Sequence, residues 1–127
     1  MTIKNPDSVN NAERGTTIYT WSGLTAGDIL KTVNNPRFSD KTAHVFGDFA
    51  ADGSITFYGS NNAADVDQDP EAVDVTNGWV PLKDPQGNPM TYTAKDGEVV
   101  SQNFKYITGK VAGADTALSV SIVCVGR

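Results

Sequence analysis

The sequence predicts an all-β fold, a single-domain antiparallel β-sandwich of jelly-roll-like form, and three observations point that way. Short runs rich in β-branched and aromatic residues recur along the chain. Glycine, proline, asparagine and aspartate punctuate them at regular spacing. No stretch sustains a helical apolar period, and the best helix candidate is the short AGDILKTV at 26–33. A chain of 127 residues has room for one such domain, with about seven to nine strands.

The elements follow in order. Residues 1–15 are polar and carry no period, so they are expected to form an N-terminal arm ahead of a domain spanning 16–127. TTIYTW (16–21) is the first strand, broken by the two glycines of WSGLTAGD. KTAHVFGDF (41–49) alternates, with Ala43, Val45, Gly47 and Phe49 on one face and His44, Phe46 and Asp48 on the other. SITFYGS (54–60) follows across a turn at Asp52-Gly53, which predicts a hairpin. GWVPLKD (78–84) contains Pro81, which lacks an N–H for a ladder and marks an edge or bulged strand. DPQGNP (84–89) is a strong turn, MTYTA (90–94) a strand and AKDGE another turn. FKYITGKV (104–111) and TALSVSIVCV (116–125) flank AGAD as a second predicted hairpin, with Leu118, Val120, Ile122 and Cys124 on one face.

Composition narrows the function classes. Hydrophobic residues make up 39% of the chain and charged residues 20%, an ordinary globular balance. No apolar run approaches the roughly 20 residues of a membrane helix, and the N-terminus lacks the apolar centre of a secretory signal. The formal net charge is -5 with no basic patch, so neither nucleic acid nor an anionic membrane is an expected partner. The single cysteine, Cys124, forms no internal disulfide and reads as a buried small hydrophobe. The single histidine, His44, rules out a multi-histidine metal site and reads as a sheet residue. No nucleophile elbow, phosphate loop or zinc-protease motif is present, so no enzymatic activity, catalytic residue or cofactor is expected.

The acidic stretch DVDQDPEAVD (65–74) is the densest cluster of chemistry-bearing side chains. Asp65, Asp67 and Asp69 imitate the opening of a calcium loop, but Pro70 stands where the loop needs glycine and Thr76 where it needs a bidentate glutamate. The three aspartates therefore stay candidates only for an irregular calcium site. A glycosidase pair would need two carboxyls facing across a cleft, one with a raised pKa. The simpler expectation is a hydrated loop facing solvent, inserted at about 61–77. Trp21, Trp79, Tyr19, Phe57, Tyr58, Tyr92, Phe104 and Tyr106 lie in or beside strands. They would fill the core or, as an exposed row, stack on sugar rings.

Four stretches in order, TWSGLTAGD (20–28), FSDKTAHVFGDFAADGSITFYGSNN (38–62), GWVPLKDPQGNPMTYTA (78–94) and FKYITGKVAGADTALSVSIVCVGR (104–127), give the chain a layout that resembles small virion structural proteins of tailed bacteriophages, of the head decoration, or capsid cement, type. The resemblance covers roughly residues 16 to 127, and the acidic insertion departs from it. It implies a non-enzymatic β-sandwich made in the host cytoplasm that binds the major capsid protein on the outside of the virion. It also implies a homo-oligomer, with a trimer favoured, that stabilises the head lattice. The polar arm would supply an extending contact to the capsid or a neighbouring subunit through Ile3, Lys4, Pro6, Val9 and Arg14. A tail or head-fibre component and a carbohydrate-binding β-sandwich are the alternatives.

Overall fold

The alternation in KTAHVFGDF is the alternation the strand uses. In β6 (Phe38–Asp48) Lys41, Ala43 and Val45 are buried while Thr42, His44 and Phe46 are exposed. In β12 (Ala117–Gly126) Leu118, Val120, Ile122 and Cys124 are buried. The two strands pair antiparallel from Ala117↔Asp48 to Gly126↔Phe38, so both inward sets fall on one side of a sheet. The computed structural model describes residues 2–13, 15–34, 38–72, 77–114 and 116–126. It adds β3 (Thr16–Leu24) beside β12, β2 (Ser8–Glu13) beyond it, and β10 (Asp96–Val99) on the far side of β6. These make a five-stranded sheet in the order β10-β6-β12-β3-β2.

A seven-stranded sheet faces it. Its path is β1 (Thr2–Lys4), β4 (Asp28–Leu30), β11 (Tyr106–Ala112), β7 (Ser54–Ser60) and β8 (Val80–Pro81). β5 (Val33–Asn34) pairs with β11, and β9 (Thr91–Tyr92) pairs with β7. Trp21, Leu24, Phe57, Ile107, Leu118 and Ile122 fill the space between the sheets, each 1% exposed or less. Burying side chains of this size contributes about 1.5–3 kcal/mol apiece. The fold is thus an all-β sandwich. Pro81 sits in a two-residue strand at the sheet edge, where its missing N–H costs no ladder bond.

Connectivity differs from the expected hairpins. β6 and β7 lie in opposite sheets, and so do β11 and β12. Each consecutive pair is an arch that crosses the core. The reason is one-sided apolarity. A hairpin would leave Ile55 and Phe57 beside Val45 in one sheet with nothing opposite, whereas an arch brings the inward faces together. The two arches stack, since β7 pairs with β11 up to Ala112↔Ser54 and β6 with β12 up to Ala117↔Asp48. Their turns touch at Gly113, whose φ is +98° and where a Cβ would fall 2.6 Å from the Asp52 carbonyl oxygen. Only glycine meets both conditions.

Three further expectations are corrected. AGDILKTV is not helical but carries β4 and β5, because so short a helix has little stability of its own and β11 offers it a ladder. Within AKDGE, Asp96–Glu98 continue as strand and pair with β6. Of the expected arm, the described residues 2–13 are not free. β1 pairs in parallel with β4, from Thr2↔Asp28 to Lys4↔Leu30, and β2 pairs antiparallel with β3. An edge strand is held by its backbone ladder and needs no apolar face, so hydrophobic period does not report it. The Lys4 carbonyl accepts from Trp21 Nε1 at 2.9 Å and from Lys31 N at 2.8 Å, tying the N-terminal segment to the core. The parallel β1–β4 pair also means that the sandwich is not wholly antiparallel.

Candidate functional site

The outward side of the seven-stranded sheet presents Tyr58 of β7 and Tyr106, Thr108 and Lys110 of β11. Residues 61–72 and 77–79 turn back over them. Tyr58, Trp79 and Tyr106 form a second buried cluster, each 7% exposed, with Val66 packed against it. Trp79 Nε1 donates to the Asp65 carbonyl at 2.9 Å. The Asp65 carboxylate accepts from Ser60 Oγ at 2.6 Å and Gly78 N at 3.0 Å, and the residue is 3% exposed. These bonds close the segment on itself and fasten it to the end of β7.

The remaining acids fasten it to lysines. Asp67 pairs with Lys31, accepts from Thr32 N at 3.2 Å, and its own N–H donates to Thr32 Oγ1 at 3.0 Å. Lys110 Nζ lies 3.1 Å from Asp69 and 3.3 Å from Glu71. Tyr58 OH donates to Glu71 Oε2 at 2.5 Å. Burial alone raises the Asp67 and Asp69 carboxyls. Lys31 with Thr32 at Asp67, and the Glu71 N–H with Lys110 at Asp69, outweigh it and hold both below the usual carboxylate range. Burial works against the Lys110 ammonium too, but its bonds to Asp69 and Glu71 prevail and raise it. The Tyr58 hydroxyl is pushed well up, first by burial and then by Glu71.

The expected hydrated loop is therefore corrected to a cap on the sheet. The calcium candidates diverge, because Asp65, Asp67 and Asp69 each turn to different protein donors. Among the described residues no group of three His, Cys, Asp or Glu side chains gathers as metal ligands. Asp74 and Thr76 lie outside the described residues. The local acidity of 65–74 carried no sign of Lys31 and Lys110, which lie far off in sequence.

The outward side of the five-stranded sheet is different. Register places Val99, Thr42, Val123, Ile18 and Asn10 in one row across its strands, and Gly97, His44, Ser121, Thr20 and Ser8 in the next. Among the described residues nothing folds over them. Asp40 and Asp48 stand at the two ends of β6, and no charged side chain lies in either row. His44 and Phe46 bring their rings to 4.8 Å, and Val99 is 52% exposed. The middle of this face is thus uncharged, with β-branched and hydroxyl side chains around the His44 and Phe46 rings, and its acids Asp40, Asp48 and Glu13 lie towards its ends.

The residues proposed for an arm contact are dispersed by the docking of the N-terminal strands. Ile3 and Pro6 are half-buried and Lys4 is exposed, while Val9 is 53% exposed on the edge strand of the five-stranded sheet. Arg14 lies outside the described residues. The aromatics fill the core and its rim, and the exposed row that a sugar platform would need is not formed by them. Trp21 and Phe57 belong to the main core, Tyr58, Trp79 and Tyr106 to the second cluster, and Tyr19, Tyr92 and Phe104 pack against the core.

No family model and no curated protein sequence matches the chain. Among solved structures it is similar to the crystal structure of the SPBc2 prophage-derived protein YomS. The likeness has a TM-score of 0.56, covers 92% of this chain and 100% of that one, and runs at 10% sequence identity. What the two share is the fold. The match over so much of both chains includes both sheets of the sandwich, not one motif.

Proposed function

We propose that this chain is a non-enzymatic structural protein of a tailed-phage particle that binds the outer surface of the capsid through the bare face of its five-stranded sheet. The observation that carries this reading is the contrast between the two outward faces. One is covered by the acidic cap, while the other has an uncharged middle over which nothing folds among the described residues. An uncharged patch can be pressed against a partner without stripping water from charges, which costs several kcal/mol per ion. The cap then faces solvent and carries the acidic side away from the shell. The fold shared with a prophage-derived protein and the order of strand and turn sequences support the phage assignment. Many copies on a repeating lattice multiply a weak single contact. A small symmetric oligomer, a trimer first, suits the symmetry points of such a lattice.

The test is cosedimentation of the purified protein with expanded and unexpanded phage heads, counting copies bound. Saturable binding to expanded heads at a lattice-matched copy number is the expected result. Thr42→Lys and Val123→Lys should abolish it without unfolding the protein. Binding to tails instead, or to neither head form, would overturn the decoration reading.

A further inference from the structure

At the end of the sandwich where β7 leaves and β11 enters lies an open cleft of about 340 Å³, lined by Asn61, Gln102, Asn103 and Phe104. Three of these four side chains are primary amides, and their orientation is dictated by what they accept. Asn61 Oδ1 accepts from the Lys105 backbone N–H at 2.9 Å. Gln102 Oε1 accepts from the Lys83 backbone N–H at 2.6 Å. Asn103 Oδ1 accepts from Lys41 Nζ at 3.0 Å. All three donors are obligate, so none of the amides can be flipped. Each therefore keeps its oxygen on the protein, and its NH₂ group is held by no acceptor among the described residues. Phe104 supplies the apolar wall. Gly59 makes room for it, since a Cβ there would fall 2.5 Å from Phe104 Cδ2.

Lys41 is a second, independent pointer. It is 2% exposed and points inward, opposite Cys124 in the ladder. Among the described residues no carboxylate comes within 4.0 Å of its Nζ. A buried ammonium ordinarily takes an anionic partner. Here its bond goes to Asn103 Oδ1, which polarises that amide and strengthens its NH₂ as a donor.

We propose that this cleft binds a carboxylate, held by the NH₂ groups of Asn61, Gln102 and Asn103, with Phe104 packing against the ligand's apolar part and Lys41 providing the positive charge behind Asn103. A carboxylate only accepts hydrogen bonds, which suits a wall that offers donors. A sugar hydroxyl would also have its proton to place, and each amide oxygen has only one lone pair left beside the donor it already accepts. The carboxylate would come from a polypeptide C-terminus or from an acidic side chain.

The experiment is a titration followed by the side-chain NH₂ signals of ¹⁵N-labelled protein. Phenylacetate should shift the Asn61, Gln102 and Asn103 pairs saturably, and neutral phenylacetamide and methyl glucoside should leave them in place. N-acetylphenylalanine and the α-amide of N-acetylglutamate then separate a chain-terminal from a side-chain source. Gln102→Glu and Asn103→Asp keep the accepted hydrogen bond and the size but replace NH₂ by a charged oxygen, and each should weaken binding about tenfold or more. Lys41→Met should weaken it as well, since it removes both the positive charge and the donor that orients the Asn103 amide. No saturable shift with any carboxylate, equal shifts with the neutral probes, or unchanged binding in Gln102→Glu would each overturn the proposal.

Discussion

The outward face of the seven-stranded sheet carries Tyr58, Tyr106 and Lys110, and that of the five-stranded sheet carries Thr42, Ser121, Val123, Ile18 and Thr20. The first is covered by the acidic insertion and the second by nothing among the described residues. The setting of their ring-bearing side chains separates them. Two tyrosines side by side expose enough apolar surface to reward a cover, and Trp79 and Val66 provide it. The lysines on or near that sheet then select an acidic cover. The other face carries the His44 and Phe46 rings among small β-branched and hydroxyl side chains, and among the described residues it has no such cover. The cap is thus part of the folded structure, and the other face stays uncovered among the described residues.

The comparison breaks most sharply at Trp79. Trp79→Ala should destabilise by about 3–5 kcal/mol in urea unfolding, since it empties the second cluster and frees the Asp65 carbonyl. Loss below about 1 kcal/mol would mean the cap is not a packed element. Asp65→Ala comes next. It strands the Ser60 hydroxyl and the Gly78 N–H, and an expected cost of about 1–3 kcal/mol would be read from the same urea midpoints. Lys110→Met should cost about 1 kcal/mol or less, because its ion pairs are partly screened.

That variant also has a pH signature. Asp69 has a folded pKa below its unfolded value, near 3.9. Its contribution is present above that value and is lost as pH falls through the folded pKa. Thermal melts taken from pH 6 downward should therefore show the wild type losing its advantage over Lys110→Met below about pH 4. A difference that stayed constant with pH would assign Lys110 to packing instead. The smallest effect on stability belongs to the bare face. Thr42→Lys should shift the urea midpoint by no more than about 0.5 kcal/mol while removing head binding. Comparable destabilisation at Thr42 and Trp79 would erase the distinction between the faces.

Strand residues were largely legible in the sequence wherever one side was apolar. Ala43 and Val45, and the set from Leu118 to Cys124, announce their buried face through a period of two. Pro81 announces an edge through its missing donor. The N-terminal strands were not legible, because SVNNAE is held by backbone bonds that any sequence can make. The acidic cap was misread for a related reason. Asp67, Asp69 and Glu71 look solvated until Lys31 and Lys110 are placed against them. The amide cleft gave no local signal either, since Asn61 and the Gln102–Asn103 pair are joined only by the fold.

The sequence by itself determined an all-β chain, the inward faces of its long strands, its acidic balance and the absence of a familiar catalytic motif. Those are properties of composition and short-range period, and they follow from side-chain chemistry one element at a time. The tertiary structure decided that consecutive strands arch between sheets, that the N-terminal residues join both of them, and that one outward face is sealed while the other is open. Each of these depends on pairings between residues far apart in the chain, whose free energy appears only when the opposing layer, the neighbouring strand or the distant lysine is in place.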